Sequence, residues 1–413
     1  MRTKQLPIAL AVVLGTAACA GAEDVGFPEH EDEVKEDLHW GKGRKPPHKH
    51  SHERFGDALP PRLVAKGKKI FRYDTFGDEQ FWTDELRMHK VIAKRVSPEL
   101  ALAVGLKVDS EALPPGILET ADLTSPDTTV ALIGLNAVVG IVGKVENGKL
   151  ESVGITCALC HSTVDDSVMP GIGKRLDGYP NRDLNPGAII ALSPELEPEQ
   201  RAVYSSWEAG YYDPRFNIDG INGPVLIPPA FGLAGVLLET YTGDGPISYW
   251  NSYVAVTQMG GQGTFVDPRI GVKRFHFPDR VTPKLPALLA YQLSLEAPEP
   301  PPGSFDAERA ERGERVFRGK GRCSSCHEGK LLTDANHTLH RPRETCMDPE
   351  YASRSATGLY RTTPLRALWQ HPPYFHDGSA KTLRDVVEHY DDCLDLGLDR
   401  REKRDLVEYL KTL

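Results

Sequence analysis

Apolar positions at the end of the chain fall on one helical face. In residues 405–413, Leu406, Tyr409, Leu410 and Leu413 stand at i, i+3, i+4 and i+7, the spacing of an amphipathic helix. An earlier run, 288–295, repeats that segment with Leu288, Tyr291 and Leu295 in register with Leu406, Tyr409 and Leu413. A second likeness lies upstream of each run. Gly67-Lys68-Lys69-Ile70-Phe71 and Gly313-Glu314-Arg315-Val316-Phe317 both place Gly four residues before Phe, with an aliphatic residue between. The pattern predicts two repeats, each opened and closed by a helix.

Between the repeats, Ala297-Pro298-Glu299-Pro300-Pro301-Pro302-Gly303 cannot continue a helix and favours extended polyproline geometry. The expected boundaries are a first unit over 59–297, a linker over 298–306 and a second unit over 307–413. Residues 23–58 are polar and charged, with His48, His50 and His52 in a Lys- and Pro-rich stretch, and read as a flexible tether. The chain starts with Arg2 and Lys4 before an apolar run from Leu6 to Ala18. That run is too short to span a bilayer and reads as a secretory signal over 1–22. Thr16-Ala17-Ala18-Cys19 resembles a bacterial lipobox, which would lipidate Cys19, while Ala20-Gly21-Ala22 suits ordinary signal peptidase.

Each unit carries one pentapeptide of distinctive chemistry: Cys157-Ala158-Leu159-Cys160-His161 and Cys323-Ser324-Ser325-Cys326-His327. The C-x-x-C-H pattern is that of covalent haem c attachment, with two thiols to add across the vinyl groups and an imidazole to reach the iron. With 7 Cys and 14 His in 413 residues, about 0.004 such pentapeptides arise by chance. Neither a zinc site nor a pair of disulfides explains a His directly after each Cys pair. Two covalently bound haem c groups are expected, held by Cys157, Cys160 and His161 and by Cys323, Cys326 and His327. Haem c attachment follows export in Gram-negative bacteria, so leader and motifs together predict a periplasmic protein, anchored to the outer membrane if Cys19 is lipidated. Of the remaining cysteines, Cys346 and Cys393 are either a disulfide closing a 47-residue interval or two separate buried thiols.

In the class I cytochrome c fold, a helix with Gly four residues before an aromatic crosses a C-terminal helix, the Gly permitting close approach. The paired ends around each pentapeptide resemble that arrangement, and the expected fold is mainly α, with two class I cytochrome c-like domains in tandem. The repeats are unequal, because Phe317 stands 6 residues before Cys323 and Phe71 stands 86 before Cys157. An insertion over 73–150 belongs inside the first, with helices expected at 78–96 and 97–106 and an apolar, β-branched stretch at 129–145.

The second unit also contains Thr363-Pro364-Leu365-Arg366-Ala367-Leu368, Pro373-Tyr374-Phe375-His376-Asp377-Gly378-Ser379 and the helix-like segment 381–390. Together these resemble the bacterial dihaem cytochrome c peroxidase and MauG superfamily, specifically over 307–413 and loosely over 59–297. The resemblance implies an electron-transfer haem in the second unit and a peroxide-reacting haem in the first, hence a peroxidase-like oxidoreductase. A non-catalytic electron-transfer cytochrome and a MauG-like or oxygenase-type enzyme are the other readings.

The sixth iron ligands decide between these, since a closed site moves electrons and an open one admits oxygen or peroxide. For the second haem the candidates are His376 and Met347. For the first, the peroxidases carry a His soon after the motif, whereas no His occurs here between His161 and His276. Met259, in the loop Gln258-Met259-Gly260-Gly261-Gln262-Gly263, is the leading candidate. Gln258 and Gln262 are possible pocket residues, and Met169 and His276 are alternatives. Arg175 and Arg182 are candidates to pair with haem propionates, and Trp250 and Trp369 to lie between the haems.

The formal charge of −9 argues against nucleic acid and is compatible with a small electron-donor protein, a cytochrome c or cupredoxin, docking by electrostatic steering. Hydrogen peroxide is the expected substrate. The only expected membrane contact is a lipid on Cys19.

Overall fold

A computed structural model of the chain describes residues 59–413. The expected leader over 1–22, Cys19 and the expected tether over 23–58 lie outside the described residues. Among the described residues no helix is long and apolar enough to cross a membrane, and strands occur only in two-stranded pairs. The principal helices are α1 (Pro61–Tyr73), α2 (Met88–Arg95), α3 (Pro98–Ala103), α4 (Pro126–Gly134), α5 (Ile247–Tyr253), α6 (Leu285–Leu293), α7 (Ala307–Arg318), α8 (Leu383–Leu394) and α9 (Arg400–Leu410).

Helices α1 and α6 cross in the first half, and α7 and α9 in the second. Both crossings depend on a missing Cβ. One added at Gly67 would stand 1.9 Å from the Ala287 carbonyl oxygen, and one at Gly313 would stand 2.0 Å from that of Asp405. Four residues on, Phe71 meets Tyr291 edge-on at 5.5 Å and Phe317 meets Tyr409 at 5.2 Å. These are the residues whose repetition the sequence displays. Helix α7 begins at Asp306, whose carboxylate accepts from the Arg309 N–H, so the proline-rich segment ends at a capped helix start.

The insertion departs from expectation in detail. Instead of one helix over 78–96, a π turn at Gln80–Glu85 gives way to α2 after Arg87, which is left-handed at φ 56°. The break lets Leu86 and Met88 both face the core, which two residues 200° apart on one α-helix could not do. The apolar stretch 129–145 divides into α4 and the strand β1 (Ile141–Glu146), which pairs antiparallel with β2 (Lys149–Ile155). Asn147 and Gly148, both at positive φ, form the two-residue turn that right-handed strand twist favours. Strand β2 ends two residues before Cys157, so this hairpin delivers the first pentapeptide.

Three apolar clusters surround the two motifs. The insertion contributes Trp82, Val91 and Leu132 to a core completed by Val153, Leu159 and Leu184, onto which Cys160 packs. Helices α1, α5 and α6 enclose Phe71, Trp250, Tyr253 and Met259, against which Cys157 packs. In the second half Phe317, Leu383, Leu406 and Tyr409 form the cluster that holds Cys323. Cys346 and Cys393 are joined in a disulfide. Ion pairs tie the halves together: the guanidinium of Arg354 donates to buried Asp213 and exposed Asp219, and that of Arg361 to buried Glu239.

Candidate cofactor sites

The first motif is held by backbone contacts from both sides. Gly140, at φ +81°, lies so close that a Cβ would approach the Leu159 Cα to 2.2 Å, and its carbonyl accepts from the Thr156 N–H at 2.9 Å. On the other side Gly178 N–H donates to the His161 carbonyl at 2.8 Å and Asn181 N–H to that of Cys160 at 2.9 Å. The insertion is thus in direct contact with the motif that it precedes.

Both imidazoles are oriented in the same way. Nδ1 of His161 lies 3.1 Å from the Pro228 carbonyl oxygen, and Nδ1 of His327 lies 3.0 Å from that of Leu332. A carbonyl only accepts, so Nδ1 carries the proton and Nε2 keeps its lone pair for a metal. Burial keeps both rings neutral, pulling His161 down to about 4 and His327 below its ordinary value. None of the four motif thiols is in a disulfide. Burial pushes Cys157 and Cys160 up to about 12 and Cys323 up to about 11. They are therefore neutral thiols near pH 7, unlike the thiolates of a cysteine nucleophile. Free paired thiols beside an imidazole with Nε2 available fit haem c at both positions. Cys326 also shares a cluster with Asp334 and His340, whose ligand atoms lie within 4.8 Å of one another.

The predicted first-site residues separate. Met259 is 3% exposed and packs in the cluster that includes Ala158 of the motif. Its carbonyl accepts from the Trp82 indole at 3.0 Å. Gln258 accepts from the Tyr212 hydroxyl at 2.9 Å and donates to Asn217 at 3.1 Å. Tyr212 is raised by burial, and it packs against the same apolar cluster as Cys160 of the motif. Gln262 packs against Gly77 with its amide oxygen buried and unpartnered. Met169 is 40% exposed and His276 is exposed, so neither is in a buried pocket.

The two arginines also differ. Arg175 is committed to the Asp177 carboxylate at 3.0 Å, and Asp177 further receives Arg72, Ser162 and Tyr291. Arg182 forms no ion pair with a described carboxylate, and its Nε and Nη1 are buried without a partner. Trp250 donates to the Glu239 carbonyl and lies under the Arg215 guanidinium. The Trp369 indole N–H is buried and unpartnered.

In the second half, His376 is 4% exposed and is surrounded by Tyr241, Tyr351 and Tyr360. The Tyr360 hydroxyl donates to the Asp348 carbonyl and lies 3.1 Å from His376 Nε2, so it is the imidazole that donates to it. Met347 packs at the edge of the same tyrosine cluster. Sequence reasoning missed Tyr390. Its phenol is pushed up by burial first, with Cys326 and Cys323 contributing, and its ring meets those of Phe375 and His389 edge-on. Its signal was present as the aromatic end of the segment 381–390.

No family model matches the chain. The methylamine utilization protein MauG of Methylorubrum extorquens is 31% identical over 127 residues, 25% of this chain and 34% of that protein. A cytochrome-c peroxidase of Denitromonas iodatirespirans is 27% identical over 188 residues, 32% of this chain and 50% of that protein. The chain therefore spans a third to a half of the length of these relatives. A solved MauG-like protein associated with microbial copper homeostasis overlaps 47% of this chain and 74% of its own, at 18% identity and a TM-score of 0.34. Hydrazine synthase subunit gamma of Kuenenia stuttgartiensis is 30% identical over 173 residues, 32% of this chain and 49% of that protein; the other curated relatives are MauG proteins and cytochrome c peroxidases, the dihaem superfamily that the C-terminal motifs resemble.

Proposed function

We propose that the chain is a periplasmic dihaem c-type cytochrome with peroxidase-like oxidoreductase activity. Two covalent haem c groups are held at Cys157, Cys160 and His161 and at Cys323, Cys326 and His327, in two cytochrome c-like domains. The carrying observation is the common orientation of His161 and His327, each with Nδ1 on a backbone carbonyl and Nε2 available beside two free thiols. Electrons enter at the C-terminal site from a small cytochrome c or cupredoxin, and hydrogen peroxide is reduced at the N-terminal site. Bound there, haem iron supplies the redox chemistry by which peroxide, two electrons and two protons give two waters.

The residues around the first motif suit a small polar substrate. Tyr212, Gln258 and Asn217 form a hydrogen-bonded line whose Tyr212 packs against the same cluster as Cys160, able to orient a hydroxyl-bearing molecule without adding charge. The lack of any His between His161 and His276 leaves no nearby imidazole in sequence to close the site. At the second motif, His376, buried among Tyr241, Tyr351 and Tyr360, is the leading group to close the site, followed by Met347. A second reading, electron transfer alone, is favoured by the burial of Met259 in the cluster that contains Ala158, from which a thioether would close the first site.

Electron paramagnetic resonance during stepwise reduction, followed by hydrogen peroxide and a reduced cytochrome donor, separates the two. A high-spin signal from the first haem with donor oxidation is expected. Two low-spin signals in every redox state, without turnover, would leave an electron carrier.

A further inference from the structure

Arg182 carries a positive charge that the described protein does not neutralise. Its loop grips the first motif through Gly178 and Asn181, while its side chain crosses to the other half, where Nη2 donates to the His371 carbonyl at 3.3 Å. Nε and Nη1 are buried without a partner. The titratable groups facing it are the phenols of Tyr211, Tyr241 and Tyr374 and the imidazole of His371, with the Tyr241 oxygen near enough to accept from the guanidinium. The phenols and the buried imidazole are neutral at neutral pH, so none supplies a counter-charge. A buried guanidinium with open N–H groups is strongly unfavourable unless an anion completes it, and guanidinium geometry suits a carboxylate. Arg175, the other arginine of this loop, is already paired with Asp177.

The geometry points to Arg182 as the clamp for an aliphatic carboxylate at the junction of the halves, a propionate of the haem attached at Cys157 and Cys160. This rests on the haem reading above. Arg182 is a positioning residue, tied to the first motif by its backbone and to the second half by His371.

The test is spectroelectrochemical titration of the holoprotein and its Arg182→Gln and Arg182→Lys variants, with haem content of the wild type measured first. Removing the guanidinium leaves the propionate uncompensated and favours ferric iron, so the potential of the first haem falls in Arg182→Gln and is partly restored in Arg182→Lys. Arg182→Lys alone, with a fall smaller than complete loss of the charge, serves if the Gln variant does not fold. Unchanged potentials in a protein with two haems overturn the proposal and leave the haem reading intact. A wild-type potential that moves with added acetate, and ceases to do so in Arg182→Gln, identifies a free carboxylate as occupant and overturns the propionate. A fall confined to the second haem overturns the assignment to the first.

Discussion

Gly313 lies against the carbonyl of Asp405 so closely that a Cβ at that position would stand 2.0 Å from its oxygen. The obstacle is backbone, which cannot swing aside as a side chain can. Gly313→Ala gains up to about 1 kcal/mol of helix propensity but forces α7 away from α9, at about 2 kcal/mol or more. The expected net result is a lower melting temperature of the holoprotein. An unchanged or raised midpoint would show that the crossing is looser than described.

Asp177 joins four partners around the first motif, Arg72 at 2.6 Å, Arg175 at 3.0 Å, Ser162 at 2.7 Å and the Tyr291 hydroxyl. Burial alone would raise this carboxyl, but Arg175, Tyr291 and Arg72 overcome it and hold it below its ordinary value. A depressed carboxylate stabilises the fold above its unfolded value and loses that contribution as pH falls through its folded value. Asp177→Asn leaves two arginines uncompensated and is expected to destabilise by about 3 kcal/mol at pH 7. The gap from wild type should narrow as the pH falls below about 4. Urea denaturation at both pH values checks this, and a gap independent of pH would contradict it.

The paired helices and both cofactor motifs were legible because their determinants are local: a Gly four residues before Phe, an apolar face, two thiols at fixed spacing. What was not legible depends on residues brought together from afar. Pro228 and Leu332 contribute only carbonyl oxygens, which leave no side-chain signal. The partners of Arg175 and Arg182 could not be told apart, because one meets a carboxylate two residues away and the other crosses to residue 371. The Asn147-Gly148 hairpin signal stands two residues past the apolar stretch 129–145, whose reading as one unit hid the strand that leads into the turn. The break at Arg87 follows from the need to bury both Leu86 and Met88, which periodicity alone does not reveal. Cys346 and Cys393 could be paired by elimination, but only folding brings them together.

Arg354 tests how firmly the halves are joined. Its guanidinium contacts Asp213, which is fully buried, and Asp219, and donates further to the Ile221 carbonyl. Arg354→Ala strands the Asp213 charge and should cost about 3 kcal/mol, with the halves separating at lower urea concentration. Protease cutting near residues 298–306 should quicken in parallel. Wild-type urea and protease resistance would show that these pairs do not couple the halves.

Tyr390 and His376 make opposite predictions for the second haem. With His376 buried among Tyr241, Tyr351 and Tyr360 and only its Nε2 engaged, by Tyr360, His376→Ala should alter the spin state of that haem and Tyr390→Phe should not. Electron paramagnetic resonance of the oxidised variants reads this directly. The reverse result would move the ligand to Tyr390, and a change in neither would favour Met347.

The central claim is that each pentapeptide binds one haem covalently, and intact-protein mass spectrometry of the denatured, exported protein tests it most directly. The account predicts a mass increase of two haem groups over the processed chain, reduced to one when Cys157 and Cys160 are both changed to Ala and likewise when Cys323 and Cys326 are. A wild-type protein that matures in a strain competent for haem c attachment yet carries no added haem mass would contradict it.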